Sequence, residues 1–176
     1  TTHFKESGPL YPQSPYAWSK YLFDRFVMQA MGDFKVLVQG FRYFNVYGAH
    51  EEHKGNQASP VTKFTQQAKE TGVIKVFENS DQYKRDFVCV DDVCTVHSQM
   101  LQQDVSGIFN VGTGVPTSFQ SVADSVAKKY GAKIETIPMP AELKGQYQSY
   151  TCADLTQLNK NVTIQFKTVE QYLNDQ

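Results

Sequence analysis

Short apolar runs alternate along the chain with longer segments in which apolar residues recur every three or four positions. The runs are bounded by turn residues and predict buried strands over residues 35–42, 73–77, 85–90, 107–111 and 133–138. The longer segments predict helices over residues 15–31, 59–70, about 92–101 and 118–130, near 153–158, and after 168. Strands that alternate with helices through short glycine-containing turns are typical of an α/β domain with parallel pairing.

The ends of the predicted helices carry capping residues. Ser14-Pro15 and Ser59-Pro60 each place a side-chain acceptor before a proline at the first helical position. Gly72 suits the C-terminal cap of the second helix, and Asp91 or Asp92 is expected to cap the third. The apolar side of the first helix is predicted to consist of Tyr21, Leu22, Phe26, Val27 and Met31.

Composition limits the functions that the chain can have. Its 176 residues suffice for one domain or slightly more, and 40% hydrophobic content indicates a folded protein. A net charge of −1 argues against a nucleic-acid-binding surface, and no apolar run approaches the roughly 20 residues that span a bilayer. The cysteines are odd in number and lack zinc-site spacing, which favours free, buried thiols in a reducing compartment.

Tyr16 and Lys20 lie one turn apart at the start of the first predicted helix. Positions i and i+4 share a helix face, so the phenol and the ammonium can point to one place. A neighbouring cation stabilises phenolate and lowers the pKa of a tyrosine, which suits proton transfer near neutral pH. With ten tyrosines in the chain the spacing also arises by chance, and a surface contact is the alternative.

Two motifs resemble ligand sites but lack part of the pattern. Gly112-Thr113-Gly114 lies between a strand and a helix, yet Thr117 stands where a dinucleotide fingerprint needs a third glycine, which favours a tight turn. His50 and His53 are three positions apart, whereas helical zinc ligands are four apart. We therefore expect no metal site.

Two basic residues are better placed for an anion. Residues 43–48 are predicted to leave the first strand as a loop, and Lys54 follows in a polar segment at the ligand-binding end of such sheets. Arg85 opens a strand and can grip a phosphate, or it can pair with Asp81 or Asp86. A solvated loop lysine is the alternative for Lys54.

Four segments together resemble the extended short-chain dehydrogenase/reductase family. In chain order they are Tyr16-x-x-x-Lys20 and residues 40–48, 85–93 and 109–114, which cover most of the chain. Residues 53–55, 77–80, 84–88 and 143–148 are similar to the ADP-heptose 6-epimerase branch of that family.

The resemblance implies the C-terminal part of an NAD(P)-binding Rossmann-type fold plus a small α/β substrate-binding domain. Residues 1–48 would belong to the cofactor domain and residues 49–176 mostly to the substrate domain, with residues 85–112 returning to pack on the cofactor domain. The family's Gly-rich cofactor turn and a catalytic Ser or Thr would lie upstream. We therefore expect the chain to begin within a larger protein and to be inactive alone.

The implied reaction inverts carbon 6 of ADP-D-glycero-D-manno-heptose to the L-glycero form, a precursor of the lipopolysaccharide core, by transient oxidation with NADP. By resemblance Tyr16 and Lys54 are the two acid/base residues, on opposite faces of the sugar carbon. Lys54 would need a lowered pKa, which desolvation and nearby cations provide. Lys20, Val46 and Lys54 are the implied cofactor contacts.

The resemblance also implies a set of substrate-binding residues. They are Asn45, Asn56, Lys63, Phe77, Glu78, Asn79, Ser80, Arg85 and Tyr147. Arg85 would face the diphosphate. Asn56 and Lys63 depart from the family, which typically has Ser and His at these positions.

The implied setting is cytoplasmic, with a homo-oligomeric full-length protein and no nucleic-acid or membrane partner. One alternative is another nucleotide-sugar enzyme, such as a UDP-hexose 4-epimerase or a dehydratase, and Lys54 favours the heptose reaction over it. A second alternative is a non-catalytic nucleotide-binding member of the same fold, against which the presence of both Tyr16 and Lys20 argues.

Overall fold

The structure is a computed structural model that describes residues 3–141 and 148–176. Its helices are α1 Pro15–Ala30, α2 Pro60–Thr71, α3 Val90–Met100, α4 Phe119–Tyr130 and α5 Val169–Asn174. Its strands are β1 Gln39–Tyr43, β2 Asn45–Tyr47, β3 Val73–Phe77, β4 Lys84–Cys89, β5 Gly107–Val111, β6 Pro116–Ser118 and β7 Lys133–Ile137. Short 3₁₀ segments lie at Met31–Asp33, Glu52–Gln57 and Leu158–Lys160.

Parallel pairing dominates the sheets, as the sequence predicts. β1 pairs with β5, β2 with β4, and β3 with β7, all in parallel, while β6 runs antiparallel to β4. Each parallel pair is separated in sequence by at least one helix, which is the connection that parallel strands require. The α/β prediction is confirmed.

Strand β4 separates two hydrophobic clusters. Phe87 and Cys89 face the first cluster, which α2, α4 and α5 close, whereas Val88 faces the second, formed mainly with α3 and β5. The alternation follows from the two-residue period of a strand. Because both faces of β4 are covered, its polar residues Arg85 and Asp86 are buried as well.

Most of the predicted helix caps are confirmed. The Ser14 hydroxyl accepts a hydrogen bond from the Ala17 N–H at 3.2 Å, and the Ser59 hydroxyl accepts one from the Thr62 N–H at 3.3 Å. Gly72 ends α2 with a φ of 69°, a left-handed conformation that glycine adopts without strain.

The predicted cap of α3 is wrong. The helix begins at Val90 directly after β4, so Asp91 and Asp92 lie inside its first turn. The Asp92 carboxylate instead accepts a hydrogen bond from the Lys167 N–H at 2.7 Å. Burial raises the pKa of Asp92, although that hydrogen bond opposes the shift.

Three strand and helix boundaries also differ from the prediction. β1 begins at Gln39, because residues 35–38 lie on the surface, where Val36 is 71% exposed. Residues 45–47 form β2 instead of a loop, since their backbone pairs with β4. A 3₁₀ turn at Leu158–Lys160 replaces the short helix predicted near 153–158.

Helix α1 buries no side chain against the described part of the chain. Leu22 and Phe26, predicted for its apolar side, are 59% and 63% exposed. Asp24 lies on the side that meets the sheet and pairs with Arg42 at 2.6 Å. No helix in the described ranges is both long and apolar enough to cross a bilayer.

Candidate functional site

Three strand ends meet where β1 passes into β2. β1 ends at Tyr43 and β2 begins at Asn45, while the Phe44 N–H between them donates to the Val111 carbonyl at the end of β5 at 3.0 Å. β4 passes beside the start of β2, with its fourth residue, Phe87, opposite Asn45. The carboxyl ends of parallel strands, here those of β1 and β5, are where α/β folds place their ligands.

The Asp86 carboxylate links β4 to the segments around residues 113 and 153 by hydrogen bonds. Its Oδ1 accepts from the Thr113 N–H at 2.6 Å and the Thr113 hydroxyl at 2.7 Å. Its Oδ2 accepts from the N–H groups of Gly114 and Ala153, both at 2.9 Å. The side chain is 0% exposed, and a Cβ on Gly112 would lie 2.6 Å from Oδ2. The glycine is therefore required for the close approach of the carboxylate.

The Gly112-Thr113-Gly114 segment is a tight turn, the interpretation that its incomplete fingerprint favours. The N–H groups of Thr113 and Gly114, which a phosphate would need, donate to Asp86 instead. The segment leads into β6, a strand that the sequence does not predict, before α4 begins. We assign it no cofactor contact.

Arg85 lies on the opposite face of β4 from Asp86. Its guanidinium stacks on the Phe119 ring, with 5.6 Å between the guanidinium carbon and the ring centroid, and Nη1 donates to the Lys84 carbonyl at 2.9 Å. The residue is 8% exposed. An arginine held in one orientation by an aromatic face is pre-organised for a bidentate anion contact.

Tyr16 and Lys20 lie together on the outer face of α1. The Lys20 Nζ is 5.2 Å from the centroid of the Tyr16 ring, so the shared face predicted from the i, i+4 spacing is confirmed. Tyr16 is 72% exposed. Both reactive groups are accessible to a ligand that approaches α1 at its N-terminal end.

Lys54 lies in the 3₁₀ segment that follows β2, and its side chain is 45% exposed. Its ammonium donates to the Glu51 carboxylate at 3.1 Å. The charged group that contacts Lys54 is thus an anion and not one of the nearby cations that its expected role calls for.

Glu51 is a buried acid that the sequence patterns do not single out. Burial raises its pKa, but hydrogen bonds from Ser59, Thr62 and Lys54 outweigh that effect, so the pKa lies below its ordinary value. The residue is charged at neutral pH. The only sequence signal for it is an acidic residue between a strand and a Ser-Pro helix start.

The other predicted substrate residues, and the predicted cofactor contact Val46, lie on separate elements. Asn45 and Val46 are half-buried in β2, Lys63 is half-buried in the first turn of α2, and Asn56 is exposed in the 3₁₀ segment. Tyr147 lies outside the described residues. No contact in the structure tests what these residues bind.

Residues 77–80 form the turn after β3. Phe77 ends the strand half-buried, Glu78 is exposed, and Asn79 has a φ of 59°, which asparagine tolerates better than most residues. Ser80 is buried, and its hydroxyl donates to the Gln120 side chain at 2.7 Å. The turn is thus joined to the start of α4, next to the Phe119 that supports Arg85.

A well-formed groove among the described residues lies elsewhere. It encloses about 640 Å³ between α1, β5 and residues 154–161, and it includes Arg42 but none of the predicted site residues. Over residues 3–141 and 148–176, no three His, Cys, Asp or Glu side chains are arranged to hold a metal ion. Of the three thiols, Cys89 and Cys152 are buried, while Cys94 is exposed, contrary to the expectation.

Comparison with known proteins identifies a family. The sequence profile of the NAD dependent epimerase/dehydratase family matches residues 1–112, which is more than half of the chain.

Solved structures share the fold over nearly the whole chain. Helicobacter pylori ADP-L-glycero-D-manno-heptose-6-epimerase is 25% identical with a TM-score of 0.86, over 99% of this chain and 54% of that one. Bacillus anthracis dTDP-glucose 4,6-dehydratase, solved with NAD, is 21% identical with a TM-score of 0.81, over 99% and 54%. Thermus thermophilus UDP-glucose 4-epimerase, also solved with NAD, is 24% identical with a TM-score of 0.80, over 98% and 57%. The chain spans about half the length of these structures.

Proposed function

Because the chain belongs to the NAD dependent epimerase/dehydratase family, we propose that it carries acid–base and substrate-binding residues of a nucleotide-sugar epimerase. The observation that carries the proposal is the pairing of Tyr16 and Lys20 on an accessible helix face. The substrate that we propose is ADP-D-glycero-D-manno-heptose, inverted at carbon 6. The 25% identity to the Helicobacter pylori enzyme and the position of Lys54 support this choice.

The cofactor that we propose is NADP, with residues 1–48 contributing to its domain and residues 49–176 mostly to the substrate domain. Tyr16 and Lys20 fit a nicotinamide ribose because both side chains are accessible and point the same way. The turn at residues 112–114 does not fit the pyrophosphate, since Asp86 occupies its N–H groups. When bound, the nicotinamide accepts a hydride from the sugar carbon and later returns it.

In the proposed mechanism Tyr16 and Lys54 move protons at the oxygen on carbon 6. Tyr16, acting as phenolate beside the Lys20 ammonium, takes the hydroxyl proton while the carbon–hydrogen bond breaks and a ketone forms. The ketone then turns its other face to the cofactor. As the new carbon–hydrogen bond forms, Lys54 donates a proton to the oxygen, so that the sugar is neither oxidised nor reduced overall.

Arg85 is proposed to bind the diphosphate of the substrate. A buried guanidinium that is stacked on Phe119 loses little further freedom when it grips two phosphate oxygens. Residues 77–80 adjoin the same helix start through the Ser80–Gln120 hydrogen bond, which supports their assignment to the nucleotide. Asn45, Val46, Asn56, Lys63 and Tyr147 remain proposed ligand contacts.

The proposed setting is the cytoplasm, and the proposed assembly is a homo-oligomer of the natural polypeptide that carries this chain. A UDP-hexose 4-epimerase is the second candidate, because the Thermus thermophilus UDP-glucose 4-epimerase shares the fold over 98% of this chain. A non-catalytic nucleotide-binding role is the third candidate, and the exposed Tyr16 beside Lys20 argues against it.

The test is a substrate panel on the natural polypeptide. With NADP or NAD added, ADP-D-glycero-D-manno-heptose, UDP-glucose and dTDP-glucose are each incubated with enzyme, and the products are identified by NMR. We expect epimerisation of the heptose, a loss of about 10²–10⁴-fold in Lys54→Ala, and no loss in the exposed-lysine control Lys75→Ala. Turnover of UDP-glucose alone would favour the 4-epimerase, and cofactor binding without any turnover would favour the non-catalytic role.

A further inference from the structure

The proposed mechanism leaves the buried charge of Glu51 unused. Glu51 is 6% exposed, and glutamate is rarely buried to this degree unless each oxygen has a partner. It lies three residues before Lys54, in the loop that joins β2 to α2. Its partners are therefore the evidence for its role.

One carboxylate oxygen is fixed to the start of α2. Oε2 accepts from the Ser59 hydroxyl at 2.6 Å and from the Thr62 hydroxyl at 2.8 Å. Ser59 is the N-cap of α2 and Thr62 lies in its first turn, where the helix dipole favours a negative charge. These contacts fix the orientation of the Glu51 carboxylate relative to α2.

The other oxygen is turned toward Lys54. Oε1 accepts from the Lys54 ammonium at 3.1 Å, and the Glu51 carbonyl accepts the Lys54 N–H at 2.9 Å. One residue thus holds both ends of the lysine. Gly55 follows with a φ of 51°, and no atom of the described residues would lie within 4 Å of a Cβ placed on it. Glycine adopts this positive φ without strain directly after Lys54.

We propose that Glu51 is a positioning residue that orients Lys54 for proton transfer. This inference rests on the proposed role of Lys54. It makes Lys54 the proton donor of the returning step and Tyr16 the acceptor of the first. One turnover leaves Tyr16 protonated and Lys54 neutral, and exchange with solvent restores both, since their side chains are 72% and 45% exposed.

The experiment is a double-mutant cycle in the natural polypeptide, with the epimerisation of ADP-heptose as the assay. Glu51→Gln is expected to lower kcat about tenfold and to leave KM within about twofold, because a misplaced catalytic group costs rate more than binding. Glu52→Gln, which removes the same charge from an exposed neighbour, is expected to change neither. In a Lys54→Ala background, Glu51→Gln is expected to cause no further loss.

Structural support is separated from positioning by Thr62→Val, which removes one hydrogen bond to Oε2 and leaves the contact with Lys54. It is expected to lower the melting temperature with kcat unchanged. Glu51→Asp keeps the charge but withdraws it from Lys54, and it replaces Glu51→Gln in the cycle if that variant does not fold.

The outcomes separate this inference from the proposed function. If Lys54→Ala retains turnover, the role of Lys54 fails and the positioning role with it. If Lys54→Ala lowers turnover as expected while Glu51→Gln equals Glu52→Gln, or while the two losses multiply in the double variant, Glu51 only supports the loop. Either of these last two results overturns the inference and leaves the proposed function intact.

Discussion

Replacing Asp86 by asparagine tests the junction of the strand ends with almost no change of shape. The carboxylate accepts four hydrogen bonds, two at each oxygen, and is 0% exposed. Asparagine must place its NH₂ group at one of the two oxygen positions. Either choice sets a donor against a backbone N–H.

The less costly orientation puts the NH₂ group beside Thr113, whose hydroxyl can turn to accept from it. The Thr113 N–H then loses its acceptor, which costs about 1–3 kcal/mol when buried. The bonds from Gly114 and Ala153 are kept but lose the charge of the acceptor, which roughly halves their strength. Relief from burying a charge offsets part of the loss, so we expect Asp86→Asn to lower the free energy of unfolding by about 3 kcal/mol.

Urea unfolding measures this loss as a lower midpoint with an unchanged slope. Asp104→Asn is the control, because it makes the same chemical change at an exposed site and is expected to shift the free energy of unfolding by less than about 0.5 kcal/mol. A loss below about 1 kcal/mol in Asp86→Asn would refute the reasoning. It would mean that the junction does not depend on a charged acceptor.

Gly112→Ala is expected to destabilise the protein by about 1–3 kcal/mol, because its Cβ would meet Asp86 and Ala153. Thermal unfolding measures this loss. The control is Gly32→Ala, whose new Cβ would meet nothing within 4 Å in the described part of the chain. Because the folded-state pKa of Glu51 is lowered, its stabilising effect is present above the ordinary glutamate pKa of about 4.3 and is lost as the pH falls through the lowered value. Urea unfolding of wild type and Glu51→Gln should therefore differ most at neutral pH and converge in acid, and a constant difference would contradict the assignment.

The local parts of the fold could be predicted from the sequence. Ser14 and Ser59 cap their helices within three residues, so a short window contains the whole interaction. The same holds for the Tyr16–Lys20 face, which needs only the helix period. The buried runs predicted the strands around which the two clusters form.

What the prediction missed depends on distant partners. β2 and β6 are three residues each and exist through pairing with β4, which no local pattern reveals. Asp86 binds N–H groups 27, 28 and 67 residues away, and in the sequence it is indistinguishable from an ion-pair partner. Glu51 becomes informative only once the loop folds back onto α2.

The most direct test of the central claim is the turnover of Tyr16→Phe in the natural polypeptide, assayed with the nucleotide sugar that the wild type converts. Removing one exposed hydroxyl leaves the packing of α1 unchanged, and Tyr11→Phe, at a position that is 76% exposed, makes the same change outside the site. We predict that Tyr16→Phe lowers kcat by about 10²–10⁴-fold while Tyr11→Phe matches the wild type. Equal turnover in all three proteins would contradict the claim, because the proton on the sugar hydroxyl would then have another acceptor.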